Sequence, residues 1–336
     1  MRVIFNTYPV AFDCPGGGEI QLCSTRSAVE AAGVEVLLYD QWRPRLDDAD
    51  LVHYFSVQGG SMNFCSHVKR RGLPLVISPI IWLGRDRDSY PLGEIRDLLH
   101  LADMILPNSA AEAGLLREFF SLPEEKFTVT HNGVDRSFAA EVAPALFRER
   151  FGIEGPFVFN AANVEPRKNQ LSLVRALKGT GMRLVIAGGV RDRAYFEACM
   201  AEGGGFTAYV GRIAHEDDLL KSAYGGCELF VLPSLLETPG LSALEAAAAG
   251  ARLVVTAVGS AREYFGDEAV YVDPYDVDDI RRGIGEGLAR ERGGALRRLV
   301  TERYTWENTA AEVVSAYEAV LGRRREAGGG AGEAAC

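Results

Sequence analysis

Two carboxylates, Glu237 and Glu245, flank a Pro239-Gly240 turn in the segment Pro233 to Thr256, which reads as a strand exit, a turn, a helix and a new strand. Gly240 lets the backbone come close to a ligand, and the unpaired N–H groups opening the next helix, at Gly240 and Leu241, suit phosphate oxygens. A carboxylate accepts hydrogen bonds from vicinal hydroxyls, so one acid could hold a sugar ring and the other a ribose, with amides holding a diphosphate between them. Such a set would fit a nucleotide sugar. Ser242 and Glu245 also fit the S-x-x-E capping box, in which both side chains serve only helix-end amides, and on spacing alone the cap is favoured. Glu237 precedes the turn and has no capping role.

Three further stretches carry candidate chemistry. Gly16-Gly17-Gly18-Glu19 joins a first strand to a helix and offers side-chain-free backbone, as a phosphate cradle or as a tight turn; its spacing is not the dinucleotide G-x-G-x-x-G. In Glu165-Pro166-Arg167-Lys168-Asn169, Pro166 can open a helix, and the Lys168 ammonium can reach across its first turn toward a departing diphosphate or serve as solvating charge. His131-Asn132-Gly133 is a strong turn signal. His53 at a strand end is more often structural than reactive, and Trp82 could stack on a sugar or fill the core. Asp86-Arg87-Asp88 superficially resembles a metal-binding D-x-D but reads as a polar loop, and no metal is assigned.

The elements that must position these groups form a parallel-sheet rhythm. Short apolar runs at Arg2–Asn6, Val34–Tyr39, Leu51–Tyr54, Leu75–Ser78, Met104–Leu106 and Phe127–Thr130 alternate with helical patterns. After a linker near Ala139–Pro144 and a helix at Ala145–Phe151, the rhythm restarts at Phe157–Ala161, Arg183–Ala187, Phe206–Val210, Leu229–Leu232, Arg252–Thr256 and Ala269–Val272. Two α/β domains are expected, with ligands in the crevice beyond the strand C-termini. A closing helix at about 305–321 buries Ala310, Val313, Val314, Tyr317 and Val320.

A length of 336 residues with 47% hydrophobic content suffices for two cores, and a net charge of −10 argues against a nucleic-acid partner. Lys69-Arg70-Arg71 is the compact cationic run of the first half, a solvated helix end or a contact with an anionic membrane. The six cysteines show no C-x-x-C pairing, which suits a reducing cytosol. The start MRVIFNTYPV lacks the pattern of a signal peptide, and no apolar run reaches membrane-spanning length, so a cytoplasmic protein, soluble or peripheral at the inner face of a membrane, is expected.

With its small-residue helix and Gly250, the E-x7-E of Glu237 and Glu245 resembles the donor-site motif of retaining family-4 glycosyltransferases with the GT-B fold. The glycine loop, the His131 turn and Arg167-Lys168-Asn169 follow in the expected order. The resemblance implies two Rossmann-like parallel-sheet domains facing across a deep cleft: an N-terminal acceptor domain over residues 1–140, to which the 305–321 helix returns, a donor domain over 145–304, and a flexible tail over 322–336. It implies metal-independent transfer of a sugar, with retention, from a nucleoside diphosphate sugar to a sugar or lipid-linked sugar acceptor, in bacterial polysaccharide or glycoconjugate synthesis. Glu237 and Lys168 would be catalytic; Gly17, Gly18, Arg167, Lys168, Glu237, Gly240, Leu241 and Glu245 would bind the donor; His53, Trp82 and His131 would lie near the acceptor. No cofactor is expected. The chain departs from the family at Ala162, where an arginine is frequent, and at Ile80, where a histidine is frequent. A nucleotide-sugar-binding partner subunit and a GT-B epimerase or phosphorylase therefore stand as alternatives.

Overall fold

A computed structural model describes residues 1–329 apart from Cys14, Gly59, Asp86 and Gly293, with 325–329 described as backbone only. The chain forms two compact units, residues 1–132 together with the chain from Trp306 onward, and Gly133–Thr305.

The first unit carries a five-stranded parallel sheet of β1 (Arg2–Asn6), β2 (Glu35–Leu38), β3 (Leu51–Phe55), β4 (Leu75–Ser78) and β5 (Met104–Ile105), in the order β2-β1-β3-β4-β5. Its helices are α1 (Gly17–Ala31), α2 (Met62–Arg70), α3 (Leu92–Leu101) and α4 (Ala110–Phe120). Every residue of β3 and β4 is buried, as expected of parallel strands covered on both faces. Phe127–Thr130 is extended beside β5 but forms no strand, a correction with a clear cause. The Thr128 amide donates to the Ile105 carbonyl at 3.0 Å, whereas the return bond of a parallel ladder would come from residue 107, and Pro107 has no N–H to donate.

The second unit carries β6 (Phe157–Ala161), β7 (Arg183–Ala187), β8 (Thr207–Tyr209), β9 (Leu229–Leu232), β10 (Leu253–Thr256) and β11 (Val270–Val272), in the order β11-β10-β9-β6-β7-β8. Its helices are α5 (Ala145–Phe151), α6 (Gln170–Leu177), α7 (Arg193–Gly203), α8 (Asp218–Gly226), α9 (Leu241–Ala248), α10 (Ala261–Phe265), α11 (Val277–Ala289) and α12 (Gly294–Arg303). All pairings in both sheets are parallel.

The last helix, α13 (Trp306–Gly329), buries Ala310, Val313, Ala316, Tyr317 and Val320 in one core with Val3, Phe5, Leu22 and Val29 of the first unit. It runs past Gly322 to Gly329, beyond the helix end expected at about residue 321. One glycine costs a helix only about 1 kcal/mol, and Arg323, Arg324, Glu326 and Ala327 are good helix formers. The Arg323 guanidinium also donates to the Glu125 carbonyl at 3.1 Å. Residues 330–336 lie outside the described residues. Of the cationic run, Lys69 pairs with Asp103 at 2.5 Å and Arg71 with Asp47, so it closes α2 against nearby acids.

Candidate functional site

In the second sheet the chain steps from β6 outward to β7 and β8, then returns to place β9 on the other side of β6. At such a switch point the loops leaving the two neighbouring strands diverge and open a crevice at their C-terminal ends. The loop after β6 carries Lys168 and the loop after β9 carries Glu237. Their side chains meet there, Lys168 Nζ to Glu237 Oε1 at 2.5 Å, with only 15% and 7% of the side chains exposed. Burial would push the Glu237 carboxyl up, but the charges of Lys168 and Arg167 outweigh it and hold the group below the ordinary carboxylate range. Burial, with Arg167 nearby, lowers the Lys168 ammonium despite the attraction of Glu237. Arg167 itself is exposed and pairs with Glu165 at 3.0 Å.

Backbone contacts fix this pair. Asn169, at φ +59°, donates its side-chain amide to the carbonyls of Pro233 at 3.0 Å and Pro274 at 2.7 Å, and the Leu235 amide donates to the Arg167 carbonyl at 2.8 Å. Glu237 is clasped by the loop after β10: its N–H donates to Val258 O at 3.2 Å and its carbonyl accepts from Ser260 N–H at 3.0 Å. Between those two partners Gly259 sits at φ +109°, where a Cβ would overlap the Glu237 carbonyl. Sequence reasoning placed Asn169 in the Arg167-Lys168-Asn169 motif without giving it a positioning role, although asparagine tolerates positive φ, and it passed over Gly259.

Gly240 caps α9 at φ +92°, and a Cβ there would lie 2.9 Å from Leu232 Cδ2. The helix starts at Leu241, with the amides of Ala243 and Leu244 both donating to the Gly240 carbonyl. The capping-box reading of Ser242 and Glu245 is therefore corrected. With Gly240 at the cap, Glu245 falls in the second turn, where its carboxylate accepts from His215 Nε2 at 2.9 Å and from the Tyr224 hydroxyl at 2.8 Å. Neither donor was legible in the sequence, because the loop Gly211–Asp217 and the helix α8 that carry them are placed only by the tertiary fold.

In the first unit the switch point lies between β1 and β3. The glycine loop leaves β1 there. Gly16 caps α1, with the Glu19 carboxylate accepting the Gly16 N–H at 2.6 Å and the Tyr8 hydroxyl at 2.9 Å. Gly17 is exposed, and Gly18 lies beside the side chain of Ile80. Ile80 has φ +49°, an outlier for a β-branched residue, and Ser56 after β3 has φ +75°. The amide of Ile81 is held by Glu112, a fully buried acid that also accepts the Asn108 N–H at 2.7 Å.

The three residues expected near an acceptor are distributed differently. His53 is fully buried in β3, with Nδ1 2.6 Å from the Tyr317 hydroxyl and Nε2 2.9 Å from the Ser78 hydroxyl. Both ring nitrogens are occupied and burial lowers its pKa to about 3, so the assignment of His53 to an acceptor site is corrected: it fastens α13 to the sheet. His131 is part-buried, its backbone N–H donating to Glu312 at 2.7 Å and its ring facing the same carboxylate. Trp82 is half-buried in the loop after β4. Asp86 lies outside the described residues, and Arg87–Ser89 form a short 3-10 turn.

Residues 146–303, within the second unit, match the family described as Glycosyl transferases group 1. O-antigen chain mannosyltransferase B of Escherichia coli is 28% identical over 253 residues, a match covering 70% of this chain and 65% of that protein. D-inositol 3-phosphate glycosyltransferase of Stackebrandtia nassauensis is 28% identical over 250 residues, covering 66% of this chain and 55% of that protein. Among solved structures, a sucrose-phosphate synthase from Thermosynechococcus elongatus superposes with a TM-score of 0.80 at 18% identity, covering 96% of this chain and 99% of that one. Anabaena HepE, in complex with UDP and glucose, superposes at 0.76 and 14% identity, covering 94% and 98%. The family match thus falls within the second unit, and the two parallel-sheet units have the GT-B fold.

Proposed function

We propose that the protein is a glycosyltransferase of the retaining family-4 type, moving a sugar from a nucleoside diphosphate sugar to a hydroxyl acceptor. The observation that carries this reading is the buried Lys168–Glu237 pair at the β6–β9 switch point, immediately before the open first turn of α9 and with Glu245 one helical turn further on. In the proposed reaction the bond between the anomeric carbon and the diphosphate oxygen breaks as the acceptor oxygen bonds to the same carbon. The acceptor proton passes to the departing phosphate on the same face, so the configuration is retained. Positive charge grows on the sugar ring and negative charge on the diphosphate, so preorganised donors lower the barrier. The amides of Gly240 and Leu241 and the Lys168 ammonium would receive the diphosphate, with Arg167 adding to the cationic field. Glu237 would orient sugar hydroxyls and Glu245 the ribose. Lys168 supplies the cation at the leaving group, and the proposal assigns no metal or cofactor.

Arrival of the donor exchanges one partner of Lys168 for another: the ammonium now paired with Glu237 turns to phosphate, and Glu237 turns to neutral hydroxyls. A role in polysaccharide or glycoconjugate synthesis draws on relatives named as O-antigen chain mannosyltransferases. A cytoplasmic enzyme in contact with the inner face of a membrane belongs to the same reading; no helix among the described residues is long and apolar enough to cross one. A nucleotide-sugar-binding partner subunit is the second reading, favoured by Ile80 and Ala162 where the family often has a histidine and an arginine. The test is release of nucleoside diphosphate from UDP- and GDP-sugars in the presence of acceptor sugars. Lys168→Ala and Glu237→Ala are each expected to lower turnover roughly a hundredfold or more. Near-normal rates in either variant would remove these residues from the site, and tight binding without release would support the partner subunit.

A further inference from the structure

Glu245 is almost fully buried, and its two oxygens are held by donors of different character. Oε2 accepts from the hydroxyl of Tyr224, whose ring is fully buried among Phe138, Phe159 and Phe230. That donor is part of the core and cannot change its charge near neutral pH. Oε1 accepts from Nε2 of His215, which sits in the loop between β8 and α8 with a third of its side chain exposed. The Phe138 ring and this imidazole meet in a T-shaped contact, with ring centroids 5.1 Å apart. Two bonds, one to each oxygen, fix the plane of the carboxylate and leave each oxygen a second lone pair, as many acceptors as a ribose has vicinal hydroxyls.

The charges around His215 are mostly acidic. It faces Glu245 on α9, Glu216 on its own loop and Asp135 before the short helix at Arg136–Ala139. The hydrogen bond with Glu245 raises the imidazole above its ordinary value; burial opposes this, and the carboxylates of Glu245, Glu216 and Asp135 add to the rise. Lys221 on α8 pairs with Asp218 at 3.0 Å and acts on Asp135. A nucleoside diphosphate sugar brings two further negative charges to the start of α9, where an uncompensated Glu245 would repel them. An imidazolium on Oε1 cancels that repulsion, and the incoming diphosphate in turn holds its proton more tightly.

We propose that His215 is a positioning residue that orients Glu245 and neutralises its charge, so that binding of a nucleoside diphosphate sugar takes up a proton at this imidazole. The proposal rests on the reading of Glu245 as the ribose acceptor. The group has a raised folded pKa, so the His215–Glu245 pair is at full strength below about 6.5 and weakens as pH rises through the folded value.

The test is calorimetric titration of the full chain with GDP-mannose and UDP-glucose between pH 6.5 and 8.5, a window in which these diphosphate diesters do not titrate. The Kd of the bound donor is expected to rise several-fold across the window as the imidazole loses its proton. His215→Gln, whose amide can donate to Oε1 without a charge, should have a flat profile near the alkaline limit of the wild type, and His215→Ala should bind more weakly than His215→Gln throughout. Equal pH slopes in the wild type and His215→Gln would overturn the proposal. If Glu245→Gln weakens binding while the wild type is flat with pH, the ribose reading stands and the role of His215 falls; if Glu245→Gln binds as the wild type does, the ribose reading itself fails. A ligand-free measurement tests the pair directly. Among the five histidine imidazoles, the resonance lost in His215→Gln should titrate above 6.5 and move down in Glu245→Gln, and an unmoved titration would overturn the pairing.

Discussion

Between Tyr317 and Ser78 the fully buried imidazole of His53 has both nitrogens in hydrogen bonds, and burial brings its pKa to about 3. The unfolded chain binds a proton here near 6.5 and the folded one does not, so stability falls as pH drops below 6.5, by about 1.4 kcal/mol per pH unit. Urea unfolding at pH 6.5 and 5.0 should show a loss of about 2 kcal/mol from this residue, reduced by that amount in His53→Gln; equal slopes in both proteins would contradict the assignment. The Lys168–Glu237 pair has a different signature. Removing one member leaves a buried charge unpaired, at a cost of about 3–5 kcal/mol, whereas an apolar pair of similar volume can be neutral. Lys168→Met with Glu237→Leu should therefore unfold at higher denaturant than either single variant while remaining inactive; strictly additive losses would show that the two do not act as a buried pair. Both residues could be picked from the sequence, one by a strand exit and one by a turn that no cap explains, but their contact across 69 positions could not. His215 carried no signal, since a lone histidine in a polar loop resembles any other.

At the scale of elements, periodicity made the sheets and α13 legible, and local covalent chemistry decided where the reading failed. Phe127–Thr130 has the apolar character of a strand, yet Pro107 on its neighbour lacks the one N–H the ladder needs. Gly322 looked like a helix end, but favourable residues beyond it and the bond from Arg323 to Glu125 carry α13 onward. The loop after β10 was passed over because its contribution is a missing side chain: Gly259 lets the backbone clasp Glu237. Gly259→Ala would add both left-handed strain, about 1–3 kcal/mol, and an overlap with the Glu237 carbonyl. The variant is expected to melt several degrees lower and to lose transfer activity more than Ser242→Ala, which alters an α9 side chain with no capping bond; unchanged melting and turnover would show that the clasp does not position Glu237.

For the whole molecule, strand order is what converts dispersed motifs into sites. In each sheet the reversal of strand order falls beside a loop that the sequence had singled out: the glycine loop after β1 in one unit, and the Lys168 loop after β6 in the other. The alternation of apolar runs foretold two parallel sheets, while the side of β6 on which β9 is inserted, and hence the meeting of Lys168 with Glu237, is a property of the assembled fold. The central claim, that this arrangement holds a nucleoside diphosphate sugar, is tested most directly by thermal unfolding of the purified chain with uridine, guanosine and adenosine diphosphate sugars. A ligand at a hundredfold excess over its Kd stabilises the native state by about 2.7 kcal/mol, so one donor should raise the melting temperature by a few degrees in the wild type and leave Glu245→Ala unchanged. No shift with any of them, or an equal shift in Glu245→Ala, would contradict the account.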